Sequence, residues 1–225
     1  MSLENKNEKV WYRDSFNTFK NKLNGESELF IGDLRKEAIS KFENMNFPTL
    51  KDEEWKYTNV SSIIKNNYTP AFNDKAVEIS TADVDKFFLS GFECCKLVFV
   101  NGVFNKELSQ LKLLTGGVLI GNLRDAVKER PELVQKYYNG ASKINNAFNA
   151  LNNAFALDGL FVYVPAGKKI EIPLQVLFIN GSSSNMLLSN LKNIIVAEES
   201  SSVNIIMNYA GLNGNPYLTN VMTEV

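Results

Sequence analysis

The sequence predicts an α+β fold, with a helical front that gives way to a strand-rich back. Three observations predict it. Charge is dense early: residues 1–70 carry 11 basic and 11 acidic side chains. Charge is sparse late: from Gly159 onward there are only Lys168, Lys169 and Lys192 against Glu171, Glu198, Glu199 and Glu224. The apolar spacing also changes, from steps of three and four to short apolar runs divided by Gly, Asn and Ser. That is the change from helical to strand periodicity.

The first helix places Tyr12, Phe16, Phe19 and Leu23 on one face. The second does the same with Ile31, Leu34, Ala38, Phe42 and Met45. It is expected to stop near Asn46, because Asn tolerates the left-handed conformation common just past helix ends and Pro48 follows. Residues 48–58 read as a loop leading into a short amphipathic piece through Ile63 and Ile64. Lys96–Val100 reads as a strand closed by an Asn101-Gly102 tight turn. A second short strand is expected at Gly117–Ile120 and a helical turn or two at Leu123–Glu129. Pro131 suits the first position of a helix reaching Tyr138. Asn145–Phe155 is helical, with Ile144, Phe148, Leu151 and Phe155 on one side.

The back of the chain holds strands at Leu160–Val164, Leu174–Ile179, Leu187–Ala197, Val203–Tyr209 and Leu218–Val225. No helix intervenes and no short-period repeat recurs, so a sandwich, a barrel and a β-solenoid all fit. Residues 219–225 alternate as a strand and stop, and the chain reads as a piece of a larger fold. We divide it into residues 1–157, mainly helical with a few short strands, and residues 158–225, the strand-rich part.

Composition excludes several classes of function. Formal net charge is −1, so no global field draws the chain to nucleic acid or to an anionic membrane. No apolar run approaches the roughly 20 residues of a membrane span. Residues 1–9 are polar and unlike a signal peptide. The two cysteines, Cys94 and Cys95, are adjacent, which opposes a disulfide and points to a reducing cytoplasm. There is no histidine, so Ser-His-Asp and Cys-His catalysis and His-based zinc sites are absent.

The remaining chemical candidates each have a plainer reading. Cys94-Cys95 falls short of the four ligands of a zinc or iron–sulfur site. One cysteine should pack inward and the other face out. Glu53-Glu54 are adjacent and diverge, so they suit a solvated helix start better than acid–base work. Gly116-Gly117 and Gly121 match no phosphate-loop pattern and bound a strand instead. Asp158-Gly159 marks the helix-to-strand switch. With no Asp after it, a carboxylate pair for glycoside chemistry is hard to build there. Trp11, Tyr12, Trp55 and Tyr57 could stack on nucleic acid. The balancing acids oppose that, and aromatics at helical spacing are usually core. No catalytic, cofactor-binding or metal-binding residue is assigned.

One set of blocks resembles a known family. Arg35, Ala38 and Phe42 are followed by Phe47-Pro48-Thr49, Lys51 and Glu53-Glu54-Trp55-Lys56-Tyr57-Thr58. Then come Val98 through Phe104, Leu108-Ser109, Ala150 through Phe155, Asp158-Gly159 and Val164-Pro165-Ala166-Gly167. Thr219-Asn220 and Thr223-Glu224 close the series. In this order they resemble the N-terminal half of the SufD family, non-catalytic scaffold subunits of the SUF iron–sulfur cluster assembly system. Asn46 stands where that family often has Gly.

The resemblance implies a helical region followed by the first coils of a right-handed parallel β-helix, truncated at the C-terminus. It implies a SufB-like paralogue and a SufC-like ATPase as partners. The iron–sulfur cluster and ATP would be handled by the assembled complex, with no cofactor in this piece. An open end of such a coil is expected to be covered or to self-associate, for instance as a homodimer. The competing reading is a secreted or structural β-helix protein acting on or binding polysaccharide.

Overall fold

In a computed structural model, the described residues are 3–23, 29–66, 68–73, 78–112, 115–139, 144–181, 186–212 and 214–225. The helical front contains α1 (Leu3–Lys22), α2 (Phe30–Asn44) and the short α3 (Ser61–Ile64). The expected stripe of α1 is buried: Tyr12, Phe16, Phe19 and, just past its end, Leu23. Helix α2 buries Ile31, Arg35, Ala38, Ile39 and Phe42. Later in the chain, α7 (Ala147–Phe155) packs Ala150, Leu151, Ala154 and Phe155 into the same cluster. The Asn146 side chain caps α7 by accepting the Asn149 N–H at 3.0 Å.

Phe155 is the hub of this cluster. Its ring centroid lies 5.7 Å from Phe16 and from Phe19, and 6.2 Å from Phe72. Burying a ring of this size is worth roughly 1.5–3 kcal/mol. Helix α2 ends close to the expected Asn46, but without a left-handed residue. It stops at Asn44, and Met45 follows in extended conformation with φ −97°. Among the described non-glycine residues only Asn101 and Ser200 have positive φ, so Asn46 is not left-handed. The chain instead leaves the helix extended at Met45, whose N–H donates to the Phe42 carbonyl at 3.1 Å, and Pro48 steers only Phe47 from the helical region.

Among the described residues, nine strands form two sheets. In one, β5 (Leu160–Val164), β7 (Leu187–Ala197) and β9 (Tyr217–Glu224) run parallel. Here β4 (Leu119–Asn122) pairs antiparallel with β5, and the two-residue β1 (Thr69–Pro70) pairs with β7. In the other, β2 (Cys95–Val100), β6 (Leu174–Asn180) and β8 (Ile205–Gly211) run parallel. One edge is β3 (Val103–Gln110), joined to β2 as an antiparallel hairpin, and β8 is the other. From β5 to β9 the chain alternates sheets, so each turn of the chain adds one parallel strand to each.

The hairpin turn is Asn101-Gly102, with φ 51° and 81°. Two positive values fit a primed turn, whose twist matches the flanking strands. Strand β3 was not expected from the sequence. Its polar residues Asn105, Lys106, Glu107, Ser109 and Gln110 hide the strand pattern. The same holds for α4 (Thr81–Asp85), which opens on a capping box: Ser80 and Asp83 each accept the other's backbone N–H.

The space between the sheets is filled from both sides. Leu97, Phe99, Leu160, Val162, Leu174, Val176, Phe178 and Leu191 meet there. Strand β6 is buried on both faces, because Leu177 and Ile179 point the other way, against Val84 of α4. A row of rings crosses the second sheet: Phe104 to Phe99 at 5.6 Å, Phe99 to Phe178 at 5.0 Å, and Phe178 to Tyr209 at 5.0 Å. The outer face of the first sheet carries the helices. α5 (Leu123–Glu129) and α6 (Pro131–Tyr137) cover Phe161, Ile194 and Val196 with Leu123, Val127 and Val134.

Candidate functional site

The sequence-derived candidates do not converge on one place. Cys95 is buried in the core between the sheets, while Cys94 is half-buried and accepts a contact from the Gln175 amide at 3.2 Å. Glu53 and Glu54 sit exposed on a single helical turn, and Glu53 pairs with Lys56 at 2.5 Å. Gly116 and Gly117, at φ 73° and 83°, form the turn before β4. Tyr12 is core, as expected of its spacing. Trp55 is half-buried and lies 5.8 Å from Phe148. Trp11 and Tyr57 are instead on the surface, Tyr57 at 90% exposure. Among the described residues, no three His, Cys, Asp or Glu side chains gather as metal ligands would.

A groove of about 300 Å³ opens beside the turn before β4, lined by Thr115, Val118, Ile170 and Ile172 together with Lys168, Lys169 and Glu171. It adjoins residues 113–114 in sequence, which lie outside the described set.

Two buried polar clusters tie the sheets to the helices. The first is Asp158-Gly159. The Asp158 carboxylate accepts backbone N–H groups from Phe104 at 3.0 Å, Arg124 at 3.0 Å and Gly159 at 2.9 Å. The Asn122 amide adds contacts at 3.3 and 3.2 Å. One carboxylate therefore gathers β3, the start of α5 and β5. Burial raises its pKa to about 6 although those donors pull it down. Gly159 allows β5 to cross directly against the backbone of Lys192, where a side chain would overlap the chain. The Lys192 N–H in turn donates to the Asp158 carbonyl at 3.1 Å.

The second cluster centres on Lys192 of β7 and Glu224 of β9. Lys192 Nζ lies 2.6 Å from Glu224 Oε1, with the side chains 1% and 6% exposed. Asn153 Oδ1 of α7 is 3.4 Å from the ammonium, and the Tyr138 ring centroid is 5.0 Å away. The Asn139 N–H donates to Glu224 Oε2 at 3.0 Å. Burial pushes the Tyr138 phenol up to about 12, with Glu224 adding and Arg35 opposing. Nearby, the Asn152 amide donates to the carbonyls of Leu191 at 2.7 Å and Asn220 at 2.8 Å. Arg35 Nη2 donates to the Ala156 carbonyl at 2.8 Å.

Asp158-Gly159 stands at the helix-to-strand switch as expected, between the end of α7 and the start of β5, but the carboxylate's gathering of backbone donors and the whole second cluster were not read from the sequence. One signal for the second was present: Lys192 is the lone charged residue between Glu171 and Glu198. A single charge within buried strands needs a partner. The charged groups at the centre of both clusters, Asp158, Lys192 and Glu224, are buried and join layers, as structural supports do.

Residues 6–176 match the family described as the SufBD protein N-terminal region. An iron–sulfur cluster assembly SufBD family protein of Synechocystis is 23% identical over 211 residues, covering 90% of this chain and 46% of that protein. The iron–sulfur cluster assembly protein SufD of Bacillus subtilis is 26% identical over 207 residues, covering 87% and 45%. A SufBD family protein of Staphylococcus haemolyticus is 28% identical over 196 residues, covering 82% and 41%. The chain thus spans less than half the length of these curated relatives.

Proposed function

Because the chain belongs to the SufBD family, we propose that it serves as a SufD-type scaffold in iron–sulfur cluster assembly, with no catalysis of its own. On this reading the cluster is cargo, built by an assembled complex with a SufB-like paralogue and a SufC-like ATPase in the cytoplasm. The observation that carries the reading is the family match across residues 6–176. The alternation of β5 to β9 between two growing sheets supports taking the strand-rich part as the first coils of a parallel β-helix. A right hand follows the general preference of parallel crossovers. No helix among the described residues is long and apolar enough to cross a membrane.

Affinity purification of the tagged protein from its own cells tests this. Recovery of a paralogous strand-rich subunit together with an ATPase is the expected result. Recovery of neither, from cells shown to express both, overturns the assignment.

A further inference from the structure

The pairing of β7 with β9 poses a register problem. On the row facing the helices, Leu188 lies opposite Leu218, Asn190 opposite Asn220, Lys192 opposite Met222 and Ile194 opposite Glu224. On the inner row, Ser189 faces Thr219, Leu191 faces Val221 and Asn193 faces Thr223. A slip of β9 by two residues keeps every side chain on its own face, because side chains alternate with period two. Apolar patterning alone therefore discriminates weakly among even slips. Polar contacts must choose. Asn220 donates to Asn190 Oδ1 at 2.9 Å, and Asn193 donates to Thr223 Oγ1 at 3.1 Å. The contact most costly to lose is the Lys192–Glu224 ion pair, since both groups are buried.

We propose that Lys192–Glu224 is a register lock for β9 and, through its other contacts, a latch between that strand and the helical layer. In the native register the carboxylate reaches the ammonium diagonally, two residues past Met222. A slip by two in one direction places Asn220 opposite Lys192, with Glu224 drawn away. In the other it places Glu224 directly opposite Lys192 but separates Asn190 from Asn220. The second carboxylate oxygen holds the Asn139 N–H, and the ammonium touches Asn153 of α7 and the Tyr138 ring. One ion pair thus joins two strands, a helix and the segment that follows α6. Docking of β9 and closure of the helices over it become one step.

The test uses the 225-residue chain and the variants Glu224→Gln, Lys192→Met and the double variant, read by amide hydrogen exchange and NMR. In Glu224→Gln, the β9 amides and the Asn139 amide are expected to exchange at least about tenfold faster, and together. Adding Lys192→Met should slow them again, because it removes the buried charge. The double variant should show a second set of inter-strand contacts, with Met222 opposite Asn190 or Ile194. Wild-type exchange rates in Glu224→Gln overturn the latch. A single, native set of contacts in the double variant overturns the lock. Should Glu224→Gln fail to fold, restored folding in the double variant supports the proposal, and failure of both overturns it.

Discussion

Gly159 and Lys192 lie backbone against backbone: a β-carbon added at Gly159 would overlap the carbonyl group of Lys192. The close approach brings β5 into register beside β7 at the point where the chain leaves its last helix. Gly159→Ala should therefore force the two strands apart. We expect a loss of about 3 kcal/mol, at the upper end of overpacking costs. The midpoint of denaturant unfolding measures it, and a value within error of wild type would show that the strands can part without cost.

Asp158 gives a pH signature. Its folded pKa of about 6 exceeds the ordinary 3.8, so the folded state holds the proton more tightly than the unfolded chain. Stability from this group is present at low pH and falls as pH rises between about 4 and 6. Asp158→Asn lacks that titration. The difference in unfolding free energy between the two proteins should shift across this window and be flat above it. A difference that does not change with pH would place the carboxyl pKa near its unperturbed value.

Asn152 spans the layers by donating to Leu191 and Asn220 with one amide. Asn152→Ala leaves the buried Leu191 carbonyl and the partly buried Asn220 carbonyl without that donor. A cost of about 1–3 kcal/mol is expected, measured by thermal unfolding. Asn152→Asp should cost more, because it sets an acceptor against two carbonyls.

The ring row across the second sheet predicts graded losses. Phe178 sits between Phe99 and Tyr209 and is 1% exposed, whereas Tyr209 is 48% exposed. Phe178→Ala should cost about 3–5 kcal/mol. Tyr209→Ala should cost clearly less, since half of its surface is already in water. Equal losses from the two variants would mean that stacking, rather than burial, dominates.

Much of this architecture was legible as elements. The stripe of α1, the face of α7 and the strands β5, β6 and β7 stand where the spacing of Phe16, Phe155, Phe178 and Ile194 puts them. Of the two cysteines, Cys95 packs inward as expected, while Cys94 is half-buried against Gln175 rather than facing out. Partnership was less legible. Periodicity says which face of a strand is apolar, not which sheet it joins, so the alternation of β5 to β9 was open to a sandwich or barrel. Strand β3 was hidden by its polar edge. Lys192 and Glu224 are 32 positions apart. Nothing local links them until the register of β9 is known.

The alternation of strands between two sheets has a mechanical meaning. Each strand beyond β6 is held mainly by the parallel neighbour laid down one turn earlier, with β7 on β5, β8 on β6 and β9 on β7. Tension applied through residue 225 reaches β9 before it reaches β8, and both before β7. The strand-rich part should then yield by successive peeling, with the buried ion pair as the first resisting clasp, and the loss of β9 should loosen α7, whose Asn152 bridges β7 and β9.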